Sequence, residues 1–299
     1  MPANTETFMK KSALFPGKSS INAGGHLLSL DRPRIMGILN LTSDSFYDGG
    51  QYTQKDAFMQ RAAQILEEGA DIIDIGAQST RPGAKEIGAE EELKILIPAV
   101  TAIRKEHPRA IISVDTTHAK VAEQAILNGA NMINDISGGT FDLDMFSTIA
   151  HYQVPYVLMH TGGRPETMQH HPHYDNVVKE IVHFLSRQMD RLNQMGVNDV
   201  IIDPGFGFGK TLEHNYELMR HLDHFQFLEA PVLVGISRKS MIYKPLNISP
   251  DKALNGSSAL HLYALQKGAT FLRVHDVQAA REIVELHLLL EGKHQEQRS

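Results

Sequence analysis

Eight short apolar runs, each stopping at polar residues and each followed by a stretch of helical periodicity, constrain this chain more than any other feature. The runs lie at 34–41, 71–77, 111–116, 132–136, 156–161, 200–204, 232–238 and 271–277. They are rich in β-branched residues and bounded by Gly, Pro or Asn, which is how strands of a buried parallel sheet read. Between them, Ala57, Phe58, Ala62, Ile65 and Leu66 recur at helical spacing, as do Val177, Val178, Ile181, Phe184, Leu185 and Leu192. Three helical stretches share one ending, Gly69-Ala70, Gly129-Ala130 and Gly268-Ala269, a glycine C-cap that leads into the next strand. Pro98 falls inside the helical stretch 90–106 and predicts a kink or a first turn there.

Eight strand–helix units predict an α/β fold, a (β/α)8 TIM barrel. An open doubly wound sheet is the alternative that strand count alone leaves in place. The segment 20–30, centred on Gly24-Gly25, reads as an N-terminal β-hairpin placed to plug the bottom of the barrel. A length of 299 residues suits one such barrel. We therefore expect 19–299 to form one catalytic domain and 1–18 a flexible N-terminal extension.

Charge and cysteine usage narrow the partners. With 29 basic against 35 acidic residues, the net charge of −6 supports neither nucleic-acid nor membrane-surface binding. Small molecules are the expected partners. The absence of cysteine excludes disulfides, thiolate catalysis and cysteine-ligated zinc. It also suits a reducing compartment, and with no apolar run long enough to span a bilayer the expected location is cytoplasmic.

In a barrel the C-terminal strand ends converge on one mouth. Here those ends carry Asn40, the segment 78–81, Asp115, Asn134 with Asp135, His160, Asp203, Ser237-Arg238-Lys239, and Arg273, His275 and Asp276. A helix cap explains any one of them, and capping is the reading for Asp276. Eight such ends mixing carboxylates, amides and cations point to a ligand site.

The stretch "DPGFGFGKT" at 203–211 resembles a phosphate-cradling loop, but its spacing refuses that reading. A Walker A loop needs a glycine at 204, which is Pro204, and the dinucleotide fingerprint needs one at 210, which is Lys210. The glycines still require close backbone approach or unusual dihedrals, and passage beside bound substrates is the expectation. Lys210 has no role legible in the sequence. Histidines 170, 171 and 173 lack the set spacing of zinc ligands and read as a solvated loop.

Seven segments now stand in order: "MGILNLTSDSFYDGG" (36–50), "STRPGA" (79–84), "SVDTT" (113–117), "INDISGG" (133–139), "DPGFGFGK" (203–210), "GISRKSM" (235–241) and "RVHDV" (273–277). Together they resemble the dihydropteroate synthases, pterin-binding TIM-barrel enzymes that are the targets of sulfonamides. The resemblance runs from about residue 21 to about residue 290. It implies condensation of p-aminobenzoate with 6-hydroxymethyl-7,8-dihydropterin diphosphate in folate synthesis. The products are 7,8-dihydropteroate and pyrophosphate, Mg²⁺ is the cofactor, and the assembly is a homodimer.

Residue by residue, the resemblance implies that Asp115, Asn134, Asp203, Lys239 and Arg273 bind the pterin. Asn40, Arg273 and His275 take the diphosphate, with Asn40 also beside the Mg²⁺. Phe46, Thr80, Arg81, Pro82, Phe208 and Ser240 form the p-aminobenzoate pocket. Lys239, Arg273, His275 and Asn40 are the implied catalytic set. Physical chemistry agrees with the types: a pterin edge needs carboxylates for its N–H donors and a cation for its carbonyl, and a diphosphate needs cations. Ser43, Gln78, Thr161-Gly162 and "YKPLNISP" after Met241 depart from the family pattern and bear on loop geometry, not on the pterin or diphosphate residues. A pterin-binding methyltransferase and a non-catalytic pterin-binding paralogue are the alternatives. Ser237-Arg238-Lys239 and the 79–84 loop favour the synthase over the first, and Asn40, Lys239, Arg273 and His275 favour it over the second.

Overall fold

A computed structural model describes residues 18–41, 51–77, 87–168 and 172–293. An antiparallel hairpin, β1 (Ser20–Ala23) and β2 (His26–Ser29), precedes eight parallel strands. These are β3 (Arg34–Asn40), β4 (Ile72–Gly76), β5 (Ile111–Asp115), β6 (Met132–Asp135), β7 (Tyr156–Met159), β8 (Val200–Asp203), β9 (Leu233–Val234) and β10 (Phe271–Val274). Their order is β8-β7-β6-β5-β4-β3-β10-β9, and a parallel bridge from Ile202 to Val232 joins β8 to the start of β9. That bridge closes the barrel and removes the open-sheet alternative. The helices between and after the strands are α1 (Gln51–Glu67), α2 (Ala89–Glu106), α3 (Ala119–Leu127), α4 (Met145–Tyr152), α5 (Val177–Gln194), α6 (Leu212–Arg220), α7 (Ser240–Tyr243), α8 (Leu254–Gln266) and α9 (Val277–Leu290).

Local signals explain the joints. At the end of α1, Gly69 has φ of 96°, and the N–H of Ala70 reaches back to the carbonyl of Ile65 at 3.1 Å. The same backward bond recurs from Ala130 to Ala125 and from Ala269 to Ala264, so the shared Gly-Ala ending is one repeated stop signal. Helix α2 runs through Pro98. Pro98 lies on the exposed side, where the carbonyl it deprives of an N–H partner can bond to water. Strand β9 keeps only two ladder residues of the apolar run 232–238, because the chain then turns towards Arg238, whose φ is 56°.

Side-chain parity sorts the strands into an inner and an outer set. Met36, Ile72, Ile111, Met132, Val157, Ile201, Leu233 and Phe271, one from every barrel strand, pack together with Ile21, Ala23 and Leu28 of the hairpin. The hairpin therefore floors the barrel, as its position in the sequence predicts. The alternate residues Ile73, Ile112, Ile133, Leu158, Ile202, Val234 and Leu272 face the helices in the main core. Two positions past the floor, pointing inward again, stand Asp74, Ser113, Asn134, Asp203, Gly235 and Arg273. Of the expected extension 1–18, only Lys18 is among the described residues. Its ammonium meets the Asn198 carbonyl at 2.5 Å and pairs with Asp199.

Candidate active site

The mouth is organised around Arg273. From β10 its Nε meets Asp74 Oδ2 on β4 at 2.7 Å, and its Nη2 meets Asp115 Oδ2 at the end of β5 at 2.7 Å. Asn134 of β6 adds a bond from Nδ2 to the same Asp74 oxygen at 3.1 Å. Burial acts to lower the guanidinium pKa, but the two carboxylates overcome it and raise the pKa above its usual value. Burial pushes the Asp115 carboxyl up, to about 7, against the lowering pull of Arg273. We assign the charged pair to the resting site, because a fully charged guanidinium sits 2.7 Å from the acid.

Asp203 and Lys239 form the opposite wall. Burial raises the Asp203 carboxyl, with Lys239 the largest opposing influence, and its Oδ1 accepts from the Gly205 N–H at 2.7 Å. Burial lowers the Lys239 ammonium to about 8, with Asp203 acting the other way. Lys239 Nζ donates to the Phe206 carbonyl at 2.6 Å and stands 4.5 Å from the centre of the Phe208 ring. That ring is backed by Ile136, Met159 and Met168. Gly235 leaves the centre open: a Cβ there would stand 3.8 to 3.9 Å from Arg273 Cβ, Asp203 Oδ2 and Lys239 Nζ. Side-chain-free space bounded by a carboxylate and two cations is a place for a flat polar ligand.

A separate cavity of about 750 Å³, between the end of β3, α1 and the start of α9, is lined by Asn40 and His275, with Arg61, Arg238 and Asp276. His275 is anchored by its N–H and its Nδ1, each 3.2 Å from Ser237 Oγ, and Arg61 Nη2 donates to its carbonyl at 2.9 Å. Asp276 precedes α9, but its carboxylate makes no cap bond there. It takes the Arg238 guanidinium instead, with Nε at 2.9 Å and Nη2 on the other oxygen. That fork replaces the capping expectation; Arg238 itself has a left-handed backbone conformation, uncommon for a residue with a Cβ.

The glycines of 203–211 have the unusual dihedrals and close backbone approach that the sequence predicts. Gly205, Gly207 and Gly209 all have positive φ, between 64° and 83°. A Cβ on Gly205 would stand 1.9 Å from the His160 carbonyl, and one on Gly209 would stand 2.6 Å from Gly162 Cα. The loop is thus pressed against the end of β7. A Cβ on Gly207 would stand 3.3 Å from Lys239 Cδ, at the mouth.

Of the residues singled out in the sequence, the structure brings together Asp115, Asn134, Asp203, Lys239, Arg273 and Phe208, and beside them Asn40 and His275. Ser240 follows Lys239 as the first residue of α7. Phe46, Thr80, Arg81 and Pro82, with Ser43, Gln78, His170 and His171, lie outside the described residues. His173 is 86 % exposed, as a solvated loop residue. Sequence reasoning missed Asp74. Its signal was an acid in the middle of an apolar strand, two residues from a floor position.

This barrel, with an inward ring of acids, an amide and cations above an apolar floor, is that of a pterin-binding enzyme. The Pterin binding enzyme family matches residues 36–275, and the chain belongs to it. Within it the chain belongs with the dihydropteroate synthases. It is 42 % identical to the Haemophilus influenzae dihydropteroate synthase over 266 residues, covering 88 % of this chain and 96 % of that one. The Yersinia pestis dihydropteroate synthase, solved in a sulfonamide drug complex, superposes with a TM-score of 0.85 at 40 % identity, covering 91 % of this chain and 99 % of that one. The Xanthomonas albilineans dihydropteroate synthase, solved with 4-aminobenzoic acid, gives 0.84 at 39 %, covering 91 % and 98 %.

Proposed function

We propose that this chain joins p-aminobenzoate to 6-hydroxymethyl-7,8-dihydropterin diphosphate, forming 7,8-dihydropteroate and pyrophosphate. The observation that carries this reading is the convergence of Asp115, Asn134, Asp203, Lys239 and Arg273 around the space that Gly235 leaves open. Asp115 and Asp203 accept from the amino and ring N–H groups of the pterin, Asn134 pairs along the same edge, and Lys239 donates to the pterin carbonyl. Buried carboxylates need such donors, so the ligand completes what burial leaves short. Arg273, fixed by Asp74 and Asp115, presents its flat guanidinium to the ring.

The C–O bond at the exocyclic methylene breaks, and the electron-rich dihydropterin carries the positive charge that develops there, facing two carboxylates. The diphosphate departs towards Asn40, His275 and Arg273, where the N-terminus of α9 adds its positive dipole end. The amine of p-aminobenzoate, packed on Phe208 beside Lys239, forms the C–N bond and gives up its proton to water. Phe46, Thr80, Arg81, Pro82 and Ser240 complete that pocket in this reading.

Mg²⁺ would be held at Asn40. Among the described residues no cluster of three His, Asp or Glu forms a ready cage. One exposed amide oxygen, with water and diphosphate oxygens filling the octahedron, suits a cation that arrives with its phosphate. Bound there, the ion supplies charge neutralisation of the leaving group. A homodimer is proposed with this function, supported by Leu254 and Tyr263 on α8 and Leu286 and Leu289 on α9, apolar and exposed. A cytoplasmic location is supported by the cysteine-free sequence, and no described helix is long and apolar enough to cross a membrane.

The test is direct. Purified protein mixed with dihydropterin diphosphate, p-aminobenzoate and Mg²⁺ should release pyrophosphate and dihydropteroate in equal amounts. No dihydropteroate above a protein-free control would sink the proposal.

A further inference from the structure

Lys210 closes the glycine loop, and the chemistry proposed above does not use it. Its side chain is buried. Nζ lies 2.9 Å from the Phe208 carbonyl, 3.3 Å from the His160 carbonyl and 3.1 Å from His160 Nδ1. An ammonium has three N–H donors, and here each has an acceptor. Burial, then the charge of Lys210, pushes the His160 imidazole down to about 2, so that ring is neutral and its Nδ1 accepts.

The same loop is gripped from the other side. Lys239 Nζ bonds the Phe206 carbonyl and faces the Phe208 ring. Phe208 thus has its carbonyl held from behind by one ammonium and its ring faced from the front by the other. Tyr174 adds a third tie, from its hydroxyl to the Gly209 carbonyl at 2.9 Å. With glycines at 205, 207 and 209, the loop backbone has little stiffness of its own. The contacts of Lys210 and Tyr174 hold the backbone on either side of the Phe208–Gly209 peptide, while Ile136, Met159 and Met168 pack around the ring.

We propose that Lys210 is a positioning residue for the amine substrate: it holds the Phe208 carbonyl, and with it the residue whose ring p-aminobenzoate packs against. This rests on the function proposed above and assigns to Lys210 no contact with either substrate.

The groups around Lys210 are Asp203 on β8, Lys239 after β9, His160 at the end of β7, and Tyr174 and His214 across the loop. Burial lowers its pKa to about 7, Asp203 opposes that, and Lys239 adds to it. As pH rises through about 7 the amine becomes neutral and keeps two N–H donors for three acceptors. The Michaelis constant for p-aminobenzoate should therefore rise from pH 6 towards pH 8.

The experiment measures both Michaelis constants across this pH range for the wild type and for Lys210→Met, which keeps the length and removes the charge. In the variant, the constant for p-aminobenzoate should be raised about tenfold at pH 6, the effect of losing a charged hydrogen bond, and should lose its pH dependence. The constant for dihydropterin diphosphate should be unchanged. A wild type whose constant for p-aminobenzoate is flat from pH 6 to 8 overturns the proposal, and that measurement needs no folded variant. A variant that raises both constants together overturns it too, as a merely structural lysine. A wild type that forms no dihydropteroate takes down the proposed function and this inference with it.

Discussion

The two ends of the barrel are built on the same strands and obey opposite rules. At the floor, eight inward side chains are all apolar and are sealed by Ile21, Ala23 and Leu28 of the hairpin. Two residues further along, Ile72 gives way to Asp74, Met132 to Asn134, Ile201 to Asp203 and Phe271 to Arg273. The floor makes the barrel stable by burying apolar surface. The mouth buries acids and cations whose partners are one another, an arrangement that stabilises little and suits a ligand. Stability and function are thus separated by about two residues of strand, near 7 Å.

The largest expected effect removes the centre of the mouth. Arg273→Met leaves Asp74 and Asp115 buried without their cation, so stability should fall by about 3–5 kcal/mol. Turnover of the folded fraction should fall about 10²–10³-fold. Denaturant titration and initial rates check the two separately. Next comes the floor: Phe271→Ala should also cost about 3–5 kcal/mol, yet leave turnover per folded molecule unchanged. A floor variant that abolished turnover while remaining folded would break the comparison. Asp74→Asn is smaller. Arg273 keeps Asp115 but loses one of two carboxylates, so kcat/KM should fall about tenfold with a modest loss of stability. Smallest is a pH effect. Lys239 loses its positive charge on deprotonation and its bond to the pterin carbonyl weakens, so the Michaelis constant for dihydropterin diphosphate should rise as pH passes about 8. A pterin affinity that instead strengthened above pH 8 would remove Lys239 from the pterin site.

The sequence made the barrel legible because its signals are local. Apolar runs, Gly-Ala endings and the hairpin around Gly24-Gly25 each act within a few residues. The strand-tip residues Asp115, Asn134, Asp203 and Lys239 were legible for the same reason, helped by the family motifs. What could not be read was pairing across the barrel. Arg273 on β10 reaches past β3 to Asp74 on β4, a contact that exists only once the ring closes and the register is set. Asp74 was hidden inside "IIDIG", where a mid-strand acid looks like an exception until parity aligns it with Asn134 and Asp203. The glycines of 203–211 were legible as glycines with a purpose. That purpose, clearance of the His160 carbonyl and Gly162, lies on a neighbouring strand end. Asp276 shows the reverse failure, a local capping signal overridden by a stronger tertiary partner in Arg238.

The central claim is that the polar ring above the floor is a pterin site. A crystal structure of the protein with a bound dihydropterin tests it most directly. The pterin edge should lie against Asp115, Asn134 and Asp203, its carbonyl on Lys239 and its ring over Arg273. A pterin bound elsewhere, with Asp115 and Asp203 touching only protein atoms, would contradict it.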